Sequence, residues 1–239
     1  MKTYYLQKEF FIISLLAISL LTFSCTRQQT VVYDLEPFEK VEIYAFGNDF
    51  STTDVDAETV FSQQDTYQMI VQKSEKDSIF WQTENNTLFV ILFSHNSPKL
   101  TICAPNVKSI DCNCRHIKTQ DTIKQSYLKF SAQLVKNADL QFDTDTLIMD
   151  IHSYDKVKLC GLCDTASIDA RFSGLFSKFD ARKLEINNLQ IVCGSSFSHT
   201  WLHVNNHLWI TEGRNCKIDY YGRPEVKQAN IKASTLRGR

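Results

Sequence analysis

A repeat of about twenty residues in the second half of the chain restricts its fold more than any other feature. Five short runs, "ADLQF", "VKLCG", "SKFDA", "FSHTW" and "CKIDY", have central residues at spacings of 19, 20, 20 and 19. Because one such unit cannot bury its apolar face alone, several units must stack around a common core. The central residues, which we expect to face that core, are Leu140, Leu159, Phe179, His199 and Ile218.

A second apolar alternation precedes each run by about ten residues, with a short polar turn such as "SYDK" or "EGRN" between the two. Strands of neighbouring units would pair in parallel about 4.8 Å apart, and crossovers of this kind are right-handed. The pattern therefore predicts an all-β fold, a right-handed parallel β-helix or β-solenoid of ~20-residue rungs over residues 106–239. The alternating residues are Cys112 and Cys114, Phe130 and Ala132, Met149 and Ile151, Ala170 and Phe172, Ile191 and Cys193, Leu208 and Ile210, and Ile231 and Ala233.

A helix is the alternative for one segment, because Leu128, Ala132 and Val135 also have helical spacing. The strand interpretation is favoured because this segment falls in register with others that have no helical periodicity. Residues 37–105 contain further alternating runs, "KVEIYAF", "YQMIV", "ENNTLFVILF" and "KLTIC". Their short connections predict mostly antiparallel strands that precede the solenoid within the same domain.

The first 25 residues have the pattern of an export signal. Lys2 and Lys8 precede the twelve-residue apolar run "FFIISLLAISLL", which is shorter than the ~20 residues of a membrane-spanning helix. Cys25 follows a small serine and resembles the acylated cysteine of bacterial lipoproteins, although Thr22 stands where leucine is usual. We expect residues 1–24 to be a lipoprotein-type signal peptide and residues 25–36 to be the lipidated cysteine with its tether. The alternative is an ordinary cleaved signal of a secreted protein.

The charge balance gives no sign of a nucleic-acid partner. The chain has 26 basic and 27 acidic side chains and no run of like charge. The partners that we expect are therefore the membrane, through the N-terminal lipid, and an envelope glycan or protein ligand. Glycine-rich phosphate loops are absent from the sequence, which contains seven glycines, and no cofactor is expected.

The pair Cys160 and Cys163 in "VKLCGLC" has the spacing of a redox or metal motif. The repeat places Cys160 at an outward position, equivalent to Gln141, Asp180, Thr200 and Asp219, and places Cys163 on another face. A redox or chelating pair needs converging sulfurs, so a local disulfide is the candidate that we favour over a metal site. Cys112, Cys114 and Cys193 are expected to face inward as small apolar residues.

His199, His203 and His207 are spaced four apart and are the candidate metal ligands of the chain. On a strand, residues four apart are separated by about 13 Å, too far for one metal ion. We therefore expect His199 to be a partly buried, hydrogen-bonded residue in a core position. No metal is predicted, and no spacing selects a catalytic pair from Asp150, Asp155, Asp169 and Asp180.

The last unit, "CKIDYYGRP", resembles the end of the putative auto-transporter adhesin, head GIN domain family. The segments "PFEKVEIYAFG" and "APNVKSIDCNC" are similar to its beginning and middle. The resemblance covers about residues 36–239 and implies a β-helical envelope protein, often a lipoprotein, with no catalytic residues. This chain departs from the family in its turns, where Phe176 and Asn215 stand near positions that usually hold a second glycine.

These features predict a non-enzymatic, adhesin-like binding or structural protein of the bacterial cell envelope. It would be lipid-anchored at the outer membrane, on its periplasmic or its surface face. The alternative is a polysaccharide-acting enzyme on the same parallel β-helix, which would need convergent carboxylates in a groove.

Overall fold

The computed structural model describes residues 28–47, 56–94, 97–174 and 176–239, with the backbone alone for residues 195–197. All regular elements among these residues are β-strands, so they include no helix long and apolar enough to cross a membrane. Residues 1–24 and Cys25, the predicted signal and lipidation site, lie outside the described residues. The strands are β1 (Gln29–Asp34), β2 (Lys40–Phe46), β3 (Glu58–Gln63), β4 (Gln68–Lys73), β5 (Ser78–Glu84), β6 (Thr87–Phe93), β7 (Lys99–Ala104), β8 (Ser109–Asn113), β9 (His116–Thr119), β10 (Ile123–Phe172), β11 (Lys178–Tyr221), β12 (Glu225–Lys232) and β13 (Thr235–Gly238).

The thirteen strands belong to one sheet in which most pairings are parallel. Its order is β1-β4-β7-β3-β9-β10-β8-β2-β6-β5, and β11 joins β10 to β12 and β13. Antiparallel pairing occurs between β1 and β4, between β4 and β7, and between β5 and β6. The all-β prediction is therefore confirmed.

The prediction that the N-terminal strands are mostly antiparallel is wrong for β2 and β3. These strands pair only in parallel, β2 with β6 and β8, and β3 with β7 and β9. The reason is that β2 and β3 begin the same two ladders that the later strands continue, while β5 and β6 form the hairpin, with a short connection between Glu84 and Thr87. Local connection length thus predicts the antiparallel β5–β6 pair correctly and misses the parallel pairings of β2 and β3.

The two longest strands must fold back on themselves, because they have 50 and 44 residues. A straight strand of 50 residues would extend for about 165 Å. Within β10, the Ser153 hydroxyl donates to the Val135 carbonyl at 3.0 Å, and Lys158 lies 3.7 Å from Asp139. Segments about twenty residues apart are therefore neighbours, as the repeat predicted.

The register of the parallel pairs varies from place to place. Lys129 pairs with Ser109, Lys156 with Lys178, and Lys217 with Thr235, at separations of 20, 22 and 18 residues. A bulge near Leu159 then changes the β10–β11 separation to 23, so Cys160 pairs with Lys183 and not with Asp180 as we predicted. Asp180 instead pairs with Lys158.

One hydrophobic core extends from Phe38 to Ile218. The predicted core residues Leu140, Leu159, Phe179 and Ile218 are all fully buried within it. The segment with helical spacing is part of β10, where Leu128, Phe130 and Ala132 alternate into the core. The helical alternative for this segment is therefore excluded.

Two inward positions were predicted wrongly. His199 is partly exposed, and its neighbour Thr200 is completely buried in its place, with its hydroxyl 3.0 Å from the Cys193 sulfur. The buried counterpart of Phe179 is therefore 21 residues further on and not 20, which shifts the inward position by one residue. At the C-terminal edge, Ile231 is half-buried and Ala233 is exposed, because β12 and β13 have a strand on one side only.

The two ends of the main strand path, β1 and β5, approach each other. The rings of Tyr33 in β1 and Trp81 in β5 are 5.8 Å apart. The sheet therefore curls around its core at the N-terminal end. Each of these two outer strands has one edge that no described strand pairs with.

Backbone geometry explains the most specific part of the family resemblance, "YYGRP". Gly222 has a φ of 95°, and an added Cβ atom would lie 2.0 Å from the Val204 carbonyl oxygen, so only glycine fits. Phe176 and Asn215, the residues that depart from the family pattern, also have positive φ, 67° and 50°. For Phe176 this conformation is unfavourable, because its Cβ crowds the backbone there.

Two leucines in the second half of the chain test the alternation. Leu159→Ala should lower the free energy of unfolding by about 2–5 kcal/mol, because Leu159 is 1% exposed and its loss leaves a cavity in the core. Leu162→Ala, three residues later, should change it by less than about 0.5 kcal/mol, because Leu162 is 53% exposed. Urea titration measures both values. Equal losses for the two variants would contradict the inward assignment.

Candidate functional site

The strands β7, β3 and β9 and the parts of β10 and β11 that continue their parallel pairing form one ladder. Its outer face carries charged residues of alternating sign. At its N-terminal side Glu58 in β3 lies between Lys118 in β9, at 2.8 Å, and Lys99 in β7, at 3.6 Å. Further along, Lys118 is in register with Asp139, and Lys158 with Asp180. The alternation arises because outward residues at equivalent positions of successive parallel strands become direct neighbours.

A groove of about 180 Å³ lies on this face. Its lining includes His116, Lys118, Asn137, Lys156 and Lys158. His116 is held by Asp56, whose carboxylate is 2.7 Å from its Nε2 atom, and this hydrogen bond lowers the pKa of Asp56. The groove thus presents ammonium groups, an amide and the carboxylates of Glu58 and Asp139, which suit hydroxyl groups of a ligand.

Beyond the groove, Asp180 and Arg182 form a two-pronged ion pair on β11. The Arg182 Nε and Nη2 atoms donate to the two carboxylate oxygens at 2.8 and 2.6 Å. Hydrogen bonding to Arg182 holds the pKa of Asp180 below its usual range, so the carboxylate stays ionised. Because both residues point outward from one strand, the guanidinium is fixed in one plane.

Trp201 lies beside this pair and makes two ring contacts. The Arg182 guanidinium carbon is 5.2 Å from the Trp201 ring centroid, within the range of a cation–π contact. The His199 imidazole stacks on Trp201 with centroids 3.6 Å apart and an interplanar angle of 27°. The tryptophan is therefore held as a half-buried, rigid surface on the outer face.

Asp219 completes the arrangement as a carboxylate that is 0% exposed. Its Oδ2 atom accepts hydrogen bonds from His199 Nε2 and Arg239 Nη2, each at 3.0 Å, and Lys217 lies at 3.9 Å. These covering side chains are themselves 25% to 43% exposed, so Asp219 is shielded by its ligands and not by the core. Its Oδ1 atom has no hydrogen-bond partner among the described residues.

Burial acts in opposite directions on the pKa values of His199 and Asp219. Burial would raise the pKa of Asp219, but hydrogen bonds from His199 and Arg239 outweigh it and hold that pKa below its usual range. Burial lowers the pKa of His199 in spite of the bond to Asp219. A neutral imidazole therefore donates to an ionised carboxylate near pH 7. We call Asp180, Arg182, His199, Trp201, Asp219 and Arg239 the Trp201 cluster.

The structure separates the two cysteines of the CxxC motif. Both are free thiols, so the disulfide that we favoured is not formed in it. Cys163 is buried and donates to the Thr165 carbonyl at 3.3 Å, and burial raises its pKa to about 11. Burial also raises the pKa of the half-buried Cys160. Neither sulfur has the stabilised thiolate of a redox motif.

The three spaced histidines do not converge. His199 bonds to Asp219, His207 Nδ1 lies 2.8 Å from Asn188 Oδ1, and His203 is half-buried in β11. Within the described ranges, no group of three or more His, Cys, Asp or Glu side chains has the geometry to hold a metal ion. The prediction of a partly buried, hydrogen-bonded His199 agrees with its contacts, although its register differs.

The candidate carboxylates are divided among separate cationic partners. Asp169 is bound by Arg171 at 2.8 Å, Asp180 by Arg182, and Asp150 lies 3.5 Å from His152. Sequence reasoning missed a different pair, Glu42 and Asp111, which are in register on β2 and β8. Burial and the charge of Glu42 raise the pKa of Asp111. Only the tertiary pairing of β2 with β8 brings these residues together, so no local signal could have found them.

The family model described as "Putative auto-transporter adhesin, head GIN domain" matches residues 52–224 of the chain. No curated protein matches the chain significantly. Neither the family description nor the names of the similar structures below include an enzymatic activity.

Three crystal structures have a similar fold. A putative adhesin from Bacteroides fragilis NCTC 9343 has a TM-score of 0.72 at 16% identity, over 89% of this chain and 97% of that one. A putative adhesin from Parabacteroides merdae ATCC 43184 has a TM-score of 0.61 at 14% identity, over 90% and 97%. A putative lipid binding protein from Parabacteroides distasonis ATCC 8503 has a TM-score of 0.54 at 12% identity, over 90% and 98%. At these identities the similarity shows the fold alone.

The contribution of the shielded Asp219 carboxylate to the free energy of unfolding should depend on pH. Asp219→Asn should lower the free energy of unfolding by about 1.5–3 kcal/mol at pH 7, the usual contribution of a hydrogen bond to a charged group. The folded pKa of Asp219 lies below the unfolded value of about 3.9, so this contribution is present above that value and is lost as the pH falls through the folded pKa. Urea titrations near pH 7 and near pH 2.5 should show a difference between variant and parent that shrinks at the acidic pH.

A suitable control is Glu212→Gln. Glu212 binds Arg214 at 2.6 Å, but both side chains are exposed, so the change should stay below about 1 kcal/mol at both pH values. A loss for Asp219→Asn that is independent of pH would contradict the ionised state of this carboxylate.

Proposed function

The chain belongs to the putative auto-transporter adhesin, head GIN domain family, and from this premise we propose that it is an exported, lipid-anchored, non-enzymatic binding protein of the bacterial envelope. Its ligand is a glycan that lies along the charged outer face and contacts the Trp201 cluster. The observation that carries this proposal is the fixed tryptophan with its planar guanidinium and shielded carboxylate on that face.

The fold that we propose to support this surface is a right-handed parallel β-helix. Parallel registers at separations of 18 to 23 residues, and contacts of β10 with itself, support this interpretation. Right-handed crossovers are by far the commonest between parallel strands. In such a fold the outward positions repeat every ~4.8 Å, which gives an extended ligand a regular row of contacts.

The chemistry of the Trp201 cluster suits a sugar ring. The apolar face of a pyranose packs on an aromatic face, whose electron density attracts the positively polarised C–H groups of the sugar. Arg182 is partly exposed and has N–H donors held by Asp180, so it would serve the ring hydroxyls, while the buried Asp219 holds His199 against Trp201. The lysines of the groove extend the contact surface toward β9.

An enzyme that acts on polysaccharides is the second candidate function. It would need two carboxylates at one sugar linkage, one of them with a raised pKa. Glu42 and Asp111 are the described pair that meets this requirement. They lie on β2 and β8, whereas the Trp201 cluster lies on β11, so a glycan held by the cluster would not be cleaved there.

The proposed anchor is Cys25. Removal of residues 1–24 would make Cys25 the N-terminus, and a diacylated cysteine provides stable membrane attachment. Four residue steps separate Cys25 from Gln29, the first residue of β1. The folded part would therefore stand close to the membrane that holds the lipid.

Trp201→Ala tests the ligand site. On a glycan array, the purified chain without residues 1–25 should bind a defined set of glycans, and the variant should lose at least about tenfold in affinity, because an aromatic contact is worth about 1.5–3 kcal/mol. Trp209→Ala is the matched control, since Trp209 is also in β11 but outside the cluster. Unchanged glycan binding by Trp201→Ala would refute this site. Release of shortened glycans, abolished by Asp111→Asn, would instead favour the enzyme.

Cys25→Ser tests the anchor. Fractionation of expressing cells should move the variant from the membrane to the soluble fraction, because the acylated thiol is lost. Cys160→Ser, which removes a half-buried thiol of the folded part, should leave the protein in the membrane fraction. Membrane association of Cys25→Ser equal to that of the parent would argue against lipidation.

A further inference from the structure

A patch of exposed apolar side chains lies on the outer face of the first strands, away from the Trp201 cluster. Phe80 is 60% exposed and Ile91 is 37% exposed, and they are in register on β5 and β6. Phe93 and Phe46 continue the patch, with ring centroids 5.6 Å apart and a further contact of 6.1 Å between Phe80 and Phe93. We call these four residues the Phe80 patch.

We propose that the Phe80 patch docks onto the surface of the lipid bilayer, an inference that rests on the lipid anchor proposed for Cys25. Phe80 and Ile91 are exposed, Phe46 and Phe93 are half-buried beside them, and the four residues lie on the adjacent strands β5, β6 and β2. Aromatic side chains favour the membrane–water interface, where their rings leave water without entering the centre of the bilayer.

The position of the patch relative to the anchor supports the bilayer as its occupant. Gln29 Nε2 lies 3.4 Å from Glu75 Oε1, so β1 begins beside the turn that connects β4 to β5. That turn is fixed by Asp77, whose Oδ2 atom accepts from the Ser74 backbone amide and whose Oδ1 atom accepts from Ser94. The chain between Cys25 and Gln29 spans at most about 14 Å.

The same end of the sheet holds the centre of the patch. Ser78, the first residue of β5, pairs with Phe93, and Phe46 pairs with Phe93 from the other side. A lipid on Cys25 would therefore bring the bilayer to the edge of the patch. Because the lipid already holds the protein at the membrane, the patch meets the bilayer at a high effective concentration. Even weak contacts of the patch then strengthen the attachment.

Charged side chains lie at one end of the face that carries the Phe80 patch. Tyr44 and Glu42 follow on β2, and Asp111 lies beside Glu42 on β8, at the end of the face remote from Phe46. These carboxylates would stay in water when Phe46, Phe80 and Phe93 touch the bilayer. Lys40 lies beyond Glu42 on the same face of β2 and Lys129 lies near Asp111, so the charges at this end offset one another and an uncharged, phosphatidylcholine-type surface fits this arrangement.

A bilayer over the Phe80 patch would also protect the outer edge of β5. Among the described strands this one pairs with β6 alone, and an exposed apolar edge strand invites association with other chains. A bilayer beside the patch shields this edge. A second copy of the chain is the other occupant that the experiment must distinguish.

The test uses the full acylated chain, purified from membranes and reconstituted into phosphatidylcholine vesicles with brominated acyl chains, which quench nearby tryptophan. One reporter protein combines Phe80→Trp with Trp81→Phe, Trp201→Phe and Trp209→Phe. The other keeps Trp209 alone through Trp81→Phe and Trp201→Phe. We expect the first reporter to be quenched at least twofold more than the second. Equal or absent quenching in vesicles that carry the protein would overturn the docking.

A second measurement does not depend on the reporters. Phe80→Ser with Ile91→Ser should transfer between vesicles about tenfold faster than the parent, because the bilayer contact is lost. Phe176→Ser is the control, since Phe176 is 76% exposed but lies in the turn before β11. An unchanged transfer rate for the double variant, with circular dichroism showing folded protein, would also overturn the docking.

Two further readouts separate this proposal from the anchor. Vesicle flotation and the mass of the N-terminal peptide report acylation of Cys25. Acylated, floating protein without selective quenching leaves the anchor intact and rejects the docking. Unacylated protein that does not float rejects both, whereas unacylated protein that floats with selective quenching supports docking alone. Dimers in sedimentation that Phe80→Ser with Ile91→Ser dissociates would assign the patch to a second copy and reject the bilayer.

Discussion

Parallel pairing between segments about twenty residues apart is the constraint on which the rest of the structure depends. Each pairing satisfies backbone hydrogen bonds and places inward residues of successive segments in one core, from Phe38 to Ile218. No single segment buries enough surface to be stable alone, so the core and the ladder form together. The same pairing determines which residues meet on the outer face, because each outward residue lies beside outward residues of the two adjacent strands.

The charged outer face follows from that rule. Glu58, Asp139 and Asp180 alternate with Lys118 and Lys158 because equivalent positions of adjacent strands carry opposite charge. At the Trp201 cluster the alternation includes a tryptophan and a shielded carboxylate beside the ion pairs. In the Phe80 patch, apolar residues occupy paired outward positions of adjacent strands. The same sheet therefore carries a polar surface at the Trp201 cluster and an apolar surface at the Phe80 patch.

Much of the core could be predicted from the sequence, because burial has a local signature in a strand. Alternation identified Leu140, Leu159, Phe179 and Ile218 without any knowledge of the pairing partners. The prediction failed at His199, because the distance from Phe179 to the next inward residue, Thr200, is 21 residues and not 20, and at Ala233, where the sheet ends. Turn length is a property of backbone geometry, and here even Phe176 adopts a positive φ that its residue type disfavours.

The sequence by itself determined the strand-rich class, the repeat and the family, since these depend on the periodicity of side chains and on local motifs such as "YYGRP". The tertiary structure alone decided which strands run parallel, and which outward residues meet. His199 and Asp219 are twenty residues apart and share a hydrogen bond, while Glu42 and Asp111 are far more distant in sequence and lie side by side. The physical reason is that contacts between strands depend on register, and register is summed over every turn and bulge between two residues.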